Sequence, residues 1–260
     1  MIRKLETKYK RTAEEIIAYQ ESLDEAESAL ERQEADLSQV VRDVTAAFRE
    51  LQSAATALSK ARKKVAKKLA KETQSHLADL GMPTATLETG LEEIPLGTDP
   101  LKSDVPAYGI DHIELMLAAN VGEPARPLRK VASGGELSRT MLALKTVLAE
   151  HDAVGTLVFD EIDSNVGGRL GDVLGDKLAR LGQTHQVICV THLPQVASYA
   201  RHQWTIRKQT KGKRTSTTIS PLTIEAERIE ELATMLRGES KSETTRQEAV
   251  EMLKSASASW

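Results

Sequence analysis

The first 80 residues contain neither glycine nor proline, and the first residue of either type is Gly81. Within this stretch, apolar residues recur at alternating spacings of three and four, with Gln33 as a polar interruption. We call these residues the apolar seam: Ile16, Tyr19, Leu23, Ala26, Leu30, Leu37, Val40, Val44, Ala47, Leu51, Ala54, Leu58, Ala61 and Val65. A heptad repeat of this length is typical of a coiled coil. Residues 1–80 are therefore predicted to form a coiled-coil arm, whose long helix from Thr12 onward would be roughly 100 Å long at 1.5 Å per residue.

The sequence also predicts where this helix starts and what it needs. Thr12 followed by Glu15 matches a capping box, so the long helix is predicted to begin there. Residues 1–11 are then the end of another helix or a turn. A helix with such a seam needs a partner helix, and the sequence has no second stretch of matching length. We expect the partner to be another chain or a segment that this chain lacks.

Composition limits the class of protein. Aromatic residues make up 3% and charged residues 28% of the 260 residues, which favours a globular part attached to a long polar helix. The net charge of −3 gives no overall attraction for nucleic acid, so any such contact needs a local patch. Cys189 is the only cysteine, which excludes an internal disulfide and agrees with a reducing cytosol. No apolar run approaches the roughly 20 residues that span a bilayer, so we expect a cytoplasmic protein without a membrane partner.

The chain from 81 to 256 alternates apolar strands with helices. Strands are predicted at 84–93, 110–117, 156–160 and 186–191, with a hairpin at 204–208 and 215–219. Helices are predicted at 133–151, 166–181, 194–201, 223–237 and 242–253. This alternation predicts an α/β lobe whose parallel sheet is covered on both faces. Residues 257–260 are predicted to be a tail.

Two of the predicted strands end in residues that can carry chemistry. Asp160 and Glu161 follow one apolar strand, and His192 follows the next. Ligands bind at the carboxyl edge of parallel sheets, where Asp160 could hold Mg²⁺ through water and Glu161 could polarise an attacking water. The imidazole of His192 could donate a hydrogen bond to a phosphate. Taken singly, the two acids could serve only solubility at a strand end, and His192 could be a loop residue without a role.

A third candidate is the start of the helix at 133. Ser133 is a good N-cap, and Gly134 and Gly135 allow an anion to approach the backbone N–H groups, before Glu136. The alternative is an ordinary cap with a flexible entry.

Taken together, these residues resemble the ATP-binding-cassette ATPases in order and spacing, with a signature SGGELSR, a Walker B strand LVFDE and a switch histidine. The SGGE form, with a coiled coil before it, is similar to the branch related to structural-maintenance-of-chromosomes proteins. Within that branch the chain resembles the RecN family of bacterial DNA repair proteins. The resemblance extends over almost the whole chain, through the strings LADLGMP, KVASGGELSRTMLALK, LVFDEIDSNVGGRLG, VICVTHLPQVASYA and RIEELATMLRGE.

The resemblance implies the C-terminal lobe of an ABC-type ATPase head, with a mixed sheet flanked by helices, and the cofactors ATP and Mg²⁺. Ser133, Gly134 and Gly135 would contact the γ-phosphate of ATP on the opposing head of a homodimer, with Glu136 beside them. Asp160 would support Mg²⁺, Glu161 would be the catalytic base, and His192 would sense the γ-phosphate. Asp163, Ser164 and Asn165 would lie in the D-loop at the dimer interface, although Val166-Gly167-Gly168 replaces the usual aspartate there.

The sequence departs from that family pattern at the phosphate-binding loop. Its one Gly-Lys pair, Gly212-Lys213, has Arg207 at the position of the first glycine and Arg214 at the position of Ser or Thr. Walker A is therefore absent from the sequence. The resemblance implies that this loop lies in an N-terminal half, before the first arm of the coiled coil. We expect that half to be a partner, and the isolated chain to be inactive as an ATPase.

Two basic clusters are candidates for sequence-independent DNA contact. A protein with such contacts is expected to be associated with the nucleoid. The first has no acid between 60 and 71 and contains Lys60, Arg62, Lys63, Lys64, Lys67, Lys68 and Lys71. The second contains Arg207, Lys208, Lys211, Lys213 and Arg214 on the hairpin. The alternative for both is a solvated surface.

Three functions follow as hypotheses. The first is the C-terminal half of a RecN-like ATPase acting in DNA double-strand break repair and recombination. The second is a coiled-coil scaffold with a catalytically silent head. The third, a transporter nucleotide-binding domain, is disfavoured by the long arm and the lack of a feature that would couple to a membrane.

Overall fold

The computed structural model describes residues 2–102, 105–131, 133–211, 214–238 and 242–257, with backbone alone at 209–211 and 214. Its helices are α1 (Ile2–Tyr9), α2 (Ala13–Asp79), α3 (Gly134–Leu148), α4 (Gly168–Leu181), α5 (Pro194–Ser198), α6 (Glu225–Arg237) and α7 (Glu243–Ser257). Its strands are β1 (Thr86–Glu93), β2 (Asp111–Ala118), β3 (Arg126–Pro127), β4 (Thr156–Phe159), β5 (Gln186–Cys189), β6 (Gln203–Lys211) and β7 (Arg214–Leu222). The predicted α/β class and the long N-terminal helix are confirmed.

The helix α2 is 67 residues long and begins where the capping box predicts. The Thr12 amide donates to Glu15 Oε2 at 2.8 Å, and the Glu15 amide donates to Thr12 Oγ1 at 3.3 Å. The separate helix α1 precedes it. Much of the apolar seam is exposed, including Leu23, Leu30 and Leu37 at 50%, 59% and 65%. Within the described ranges, no helix is both long and apolar enough to cross a membrane.

Gly81 ends the long helix. Its φ of 77° lies in the left-handed region that glycine adopts without strain, and the Met82 amide donates back to Leu77 O at 2.9 Å. A side chain at this position would also meet α4, because an added Cβ would lie 2.5 Å from Leu170 Cδ2. The first glycine of the sequence therefore stops α2 and permits the close approach of α4.

The described residues group into two compact units. The first comprises residues up to Ala61 with Glu93–Asp111, and the second comprises Arg62–Glu92 with the residues from His112 onward. In the first unit, the buried Ser59 Oγ lies 2.6 Å from Asp111 Oδ1 and 3.0 Å from Glu93 Oε1. The predicted domain boundary between residues 80 and 81 stays a prediction.

The main hydrophobic core lies in the second unit. Residues from the end of α2, from β1, from α3, from β4 and the loop after it, and from α4 contribute to it; its largest fully buried side chains are Leu77, Leu80, Leu87, Leu142, Ile162 and Leu174. A smaller cluster joins α6 and α7 through Leu232, Ala233 and Ala249. The loop after β4 is thus anchored by Ile162 in the core, which fixes its position beside α3.

The strands form three small sheets among the described residues: β1-β2-β3, β4-β5 and β6-β7. The strands β4 and β5 pair in parallel, as predicted, with Leu157 opposite Val187. The predicted hairpin is confirmed as β6-β7 and is longer than expected. The prediction that the parallel sheet is covered on both faces is wrong for this chain. Val158, Ile188 and Val190 are 66%, 47% and 48% exposed, because successive side chains alternate between faces and only one face meets the core.

A histidine at the end of α2 makes stability depend on pH. Lys177 Nζ of α4 lies 2.8 Å from His76 Nδ1 and 3.0 Å from Asp79 Oδ2. Burial, and then the charge of Lys177, lower the pKa of His76. Below the ordinary histidine pKa of about 6.5, the unfolded chain therefore binds a proton that the folded His76 does not.

We expect the free energy of unfolding to fall as the pH drops below about 6.5, and His76→Gln to weaken this dependence. Urea denaturation followed by circular dichroism at several pH values measures it. The matched control is His151→Gln, at an exposed histidine, which should keep the full dependence. Equal pH dependence in the His76 variant and the unmodified chain would contradict the prediction.

Candidate functional site

The start of α3 is a capped helix end with two glycines. Ser133 has an extended backbone and its Oγ accepts from the Glu136 amide at 3.4 Å, as predicted for an N-cap. The N–H groups of the first turn that Ser133 does not cap, and the dipole of α3, make this end favourable for an anion. Gly134 is exposed and Gly135 is buried, so the first of the two presents the helix end to solvent.

This helix start packs on the loop that follows β4. An added Cβ at Gly134 would lie 2.8 Å from Glu161 Oε2, and one at Gly135 would lie 3.1 Å from Ser164 Cβ. Ser138 Oγ donates to the carbonyl of Asp160 at 2.9 Å. A side chain at Gly134 would therefore displace the Glu161 side chain, and one at Gly135 would press on the loop, whose Glu161 carbonyl oxygen would lie 3.2 Å from the added Cβ.

Arg139, on α3, forms hydrogen bonds to the same loop. Its Nη1 donates to the carbonyl oxygens of Ile162 at 3.3 Å and Ser164 at 3.1 Å. Burial lowers the pKa of the Arg139 guanidinium. Because the loop runs between strand and helix, its carbonyl groups lack ladder partners, and the guanidinium satisfies two of them.

The two predicted acids lie at the carboxyl end of β4. Asp160 is exposed, and its Oδ1 accepts from the Glu161 amide at 3.0 Å. Glu161 has a φ of 54° and Asn165 a φ of 60°, so two non-glycine residues of one loop adopt the left-handed region. Such conformations cost on the order of 1–3 kcal/mol each and persist where the surroundings impose them. The loop is therefore held in a specific and strained shape.

The chemistry of Asp160 fits magnesium. An exposed carboxylate at a sheet edge is the hard oxygen ligand that Mg²⁺ takes, with water and phosphate completing the octahedron. Among the residues that the structure describes, no group of three or more His, Cys, Asp or Glu side chains could hold a metal ion. Asp160 would thus be a single protein ligand, directly or through water.

Asp163 joins the loop after β4 to the loop after β5. Its side chain is nearly fully buried, and its Oδ2 accepts from Thr191 Oγ1 at 2.5 Å, the His192 amide at 2.8 Å and the Leu193 amide at 3.3 Å. Burial by itself would raise the pKa of Asp163, but these hydrogen bonds and the nearby His192 outweigh it and lower the pKa. Asp163 is therefore a buried carboxylate that stays charged.

The side chain of His192 lies beside this carboxylate and is 70% exposed, with Nδ1 3.1 Å from Asp163 Oδ2. Cys189, at the end of β5, lies in the same region. Burial, then the charges of Asp163 and Asp160, raise the pKa of its thiol to about 12. The thiol stays protonated at neutral pH, so it has no nucleophilic character there.

The structure thus brings the predicted residues into one connected cluster. The start of α3 contacts the loop of Asp160, Glu161 and Ser164, and Asp163 of that loop contacts His192. Asp163, predicted at a dimer interface, has its carboxylate engaged inside the chain. Sequence reasoning assigned no role to Ser138, Arg139 or Thr191. The sequence did contain an indication for Arg139. It follows Gly135 by four residues, so the two residues lie on the same face of α3.

The basic run on α2 forms an exposed stripe. At 100° per residue, its lysines fall on one side of the helix, and we call them the basic stripe: Lys60, Lys63, Lys64, Lys67, Lys68 and Lys71. Each is exposed, whereas Arg62 is half-buried. Lys68 pairs with Glu72 at 3.7 Å, an exposed pair of little energetic weight.

The second basic cluster is less available for contact with phosphate. Arg207 forms an ion pair with Glu231 of α6, and Lys208 is exposed. Lys213 and the side chains of Lys211 and Arg214 lie outside the described part of the hairpin. The basic stripe is therefore the better-defined candidate for phosphate contact.

Comparison with known proteins gives clear relatives. No protein-family model matches the chain. It is 34% identical over 264 residues to the DNA repair protein RecN of Bacillus subtilis, covering 98% of this chain and 45% of that protein. It is 38% identical over 250 residues to RecN of Deinococcus radiodurans, covering 96% and 42%, and 44% identical over 214 residues to RecN of Streptomyces coelicolor, covering 80% and 37%. The chain spans less than half the length of these relatives.

Solved structures with a similar chain trace are more distant. The Smc head domain of Pyrococcus furiosus, with an extended coiled coil and bound to the C-terminal domain of ScpA, is 16% identical with a TM-score of 0.43, covering 72% of this chain and 42% of that chain. The SMC head domain of Thermotoga maritima is 18% identical with a TM-score of 0.31, covering 64% and 52%.

The hydrogen bonds of Arg139 give a test of the site's architecture. We expect Arg139→Lys to lower the free energy of unfolding by about 1–3 kcal/mol, because a lysine cannot reach both carbonyl groups and leaves one unsatisfied. Urea denaturation measures the change. Arg180→Lys is the matched control, since Arg180 is 71% exposed and its ion pair among the described residues is with Asp176 on its own helix, so the loss of unfolding free energy should be near zero. Equal effects of both substitutions would contradict the expectation.

Proposed function

We propose that this chain, which is related over almost its whole length to the C-terminal half of the bacterial DNA repair protein RecN, supplies half of an ATPase head. In this proposal the head acts in the repair and recombination of DNA double-strand breaks. The observation that supports it best is the single cluster formed by the start of α3, the Asp160–Glu161 loop and His192. Hydrolysis of a phosphoanhydride depends on positioning and on charge stabilisation, and this cluster brings together a helix end suited to an anion, an exposed acid suited to Mg²⁺ and a second acid suited to act as a base.

Each residue has a role that follows from its surroundings. The N–H groups at Ser133–Gly135 bind a terminal phosphate through the partial positive charge of the helix end. Glu161 accepts a proton from an attacking water, and His192 donates a hydrogen bond to a phosphate oxygen from its exposed edge. Asp160 would hold Mg²⁺, which when bound neutralises phosphate charge. Because Glu161 now lies against Gly134, it has to leave this position when a phosphate binds the helix end.

The nucleotide cradle is proposed to come from another segment. No Walker A pattern is present in the sequence, and the chain spans less than half of its relatives. The open apolar face of β4 and β5, with Val158, Ile188 and Val190, is the surface on which the N-terminal half of the head would pack. The exposed apolar seam of α2 would pair with the first arm. A homodimer of such heads would then place α3 of one head against ATP on the other.

A scaffold function is the second candidate, and the exposed apolar seam favours it. A long helix with an unpaired apolar stripe can bind a partner helix without any chemistry in the head. In that case the cluster around Asp160 would be structural. ATP binding by the completed head distinguishes the two functions.

We expect this chain alone to bind ATP weakly and to hydrolyse almost none. After co-expression with the N-terminal half of a RecN relative, the purified complex should bind ATP and hydrolyse it. Glu161→Gln should keep ATP bound while lowering kcat by about 10²–10⁴-fold, the range for a lost general base. Glu150→Gln, at an exposed acid on the short turn after α3, is the matched control and should keep the rate. A purified complex that ignores ATP would support the scaffold function instead.

DNA contact is proposed for the basic stripe. Reversing the charge at Lys63, Lys64 and Lys67 should weaken binding to duplex DNA and flatten its salt dependence. For each phosphate contact removed, the slope of log K against log salt should become shallower by about 0.9. Fluorescence anisotropy at several salt concentrations measures both quantities.

The matched control changes the net charge equally at three exposed lysines near the N-terminus. Lys4, Lys8 and Lys10 are changed to Glu, and affinity and slope should stay close to those of the unmodified chain. Equal losses in both triple variants would show a general effect of net charge and remove the assignment to the stripe.

A further inference from the structure

We propose that Asp163 is a positioning residue for His192: it holds the imidazole with its proton on Nδ1 and presents Nε2 to the reacting phosphate. The role of the ring in phosphate recognition rests on the proposed function. The orientation of the ring and its tautomer rest on contacts within this chain alone.

The placement of Asp163 is determined from several directions. Its side chain is 3% exposed, and donors from three successive residues, Thr191 to Leu193, converge on Oδ2. Two of these donors are backbone amides, so the carboxylate is fixed relative to the backbone from which the imidazole projects. A carboxylate that only filled a core position would be costly without such donors, and here they leave it charged.

The proton position on the ring follows from the distance. Nδ1 of His192 lies 3.1 Å from Oδ2, and at this distance a negative oxygen repels the lone pair of an unprotonated nitrogen. A proton on Nδ1 converts this repulsion into attraction, so the neutral ring carries its hydrogen there. Nε2 lies on the opposite edge of the ring, on a side chain that is 70% exposed.

This arrangement defines how His192 can act. The neutral ring offers Nε2 as an acceptor, so it can take a proton from solvent or from a bound water. The protonated ring donates its Nε2–H to a phosphate oxygen while Asp163 balances its charge. Without Asp163, the ring could rotate or change tautomer, and the donor would no longer point at one place.

The tautomer can be measured without nucleotide. In the unmodified chain labelled with ¹⁵N-histidine, long-range ¹H–¹⁵N correlation spectra at a pH about two units above 6.5 report which ring nitrogen carries the proton. The sequence has six histidines, and loss of one signal set in His192→Gln assigns the ring. We expect the Nδ1–H form for His192. Observation of the Nε2–H form in the unmodified chain would overturn the proposal.

Two variants then test whether Asp163 determines the tautomer of His192. Asp163→Asn should shift His192 toward the Nε2–H form, because the amide side chain removes the negative charge beside Nδ1. Thr191→Val is the matched control: it removes a hydroxyl donor to Asp163 but keeps the carboxylate, so the Nδ1–H form should persist. An unchanged tautomer in a folded Asp163→Asn chain would overturn the proposal. If that variant does not fold, the spectrum of the unmodified chain decides alone.

Kinetics separate this inference from the proposed function. In the complex with the N-terminal half, Asp163→Asn should lower kcat about tenfold while leaving the KM for ATP unchanged. An Nδ1–H ring in a complex without ATPase activity would refute the function and leave the orientation of His192 by Asp163 standing. An active complex with an Nε2–H ring would refute the positioning role and leave the function standing.

Discussion

The close packing of α3 on the loop after β4 is the constraint on which the rest of the site depends. Gly135 lies close to the loop backbone, and Arg139 hydrogen-bonds to two loop carbonyl groups one helical turn later. Ile162 anchors the same loop in the core. The helix end and the loop backbone are therefore held together, which accounts for the left-handed backbone at Glu161.

The acids of this loop differ in how deeply they are buried. Asp160 and Glu161 are exposed at the sheet edge, where a cation and a water can reach them. Asp163, three residues on, is buried and bound by two backbone amides and a hydroxyl, so it remains an anion without contact with solvent. One short loop thus separates acids that are available for chemistry from an acid that orients its neighbour. The pKa of Cys189 is raised first by burial and then by the charges of two of these acids, Asp163 and Asp160.

The sequence alone predicted the parts of this structure that depend on local patterns. The cap at Thr12, the strand predicted at 156–160, the hairpin and the cap at Ser133 all follow from residue type and spacing, and the structure confirms them, with the strand ending one residue earlier at Phe159. The sequence also predicted that the two strands ending in Asp160-Glu161 and in His192 would end at the same sheet edge. The catalytic roles of these residues are still predictions.

Contacts through space were beyond sequence reasoning. The apolar run of β5 predicted burial on both faces, but burial depends on what packs there, and Ile188 is open on one side. Asp163 matched a family position at an interface, and no spacing rule shows that its carboxylate turns inward to Thr191. Arg139 stands in an apolar helix, where only the position of the loop explains a charged side chain.

The junction between α2 and α4 has a mechanical consequence. Lys177 ties the last turn of α2 to α4 through His76 and Asp79, and Leu170 closes over Gly81 at the same place. Since α4 begins at Gly168, three residues after Asn165, the helix that contacts the last turn of α2 is also the element that follows the acid-bearing loop in the chain. Within the second unit, a displacement of that last turn would therefore reach the sheet edge through a single helix.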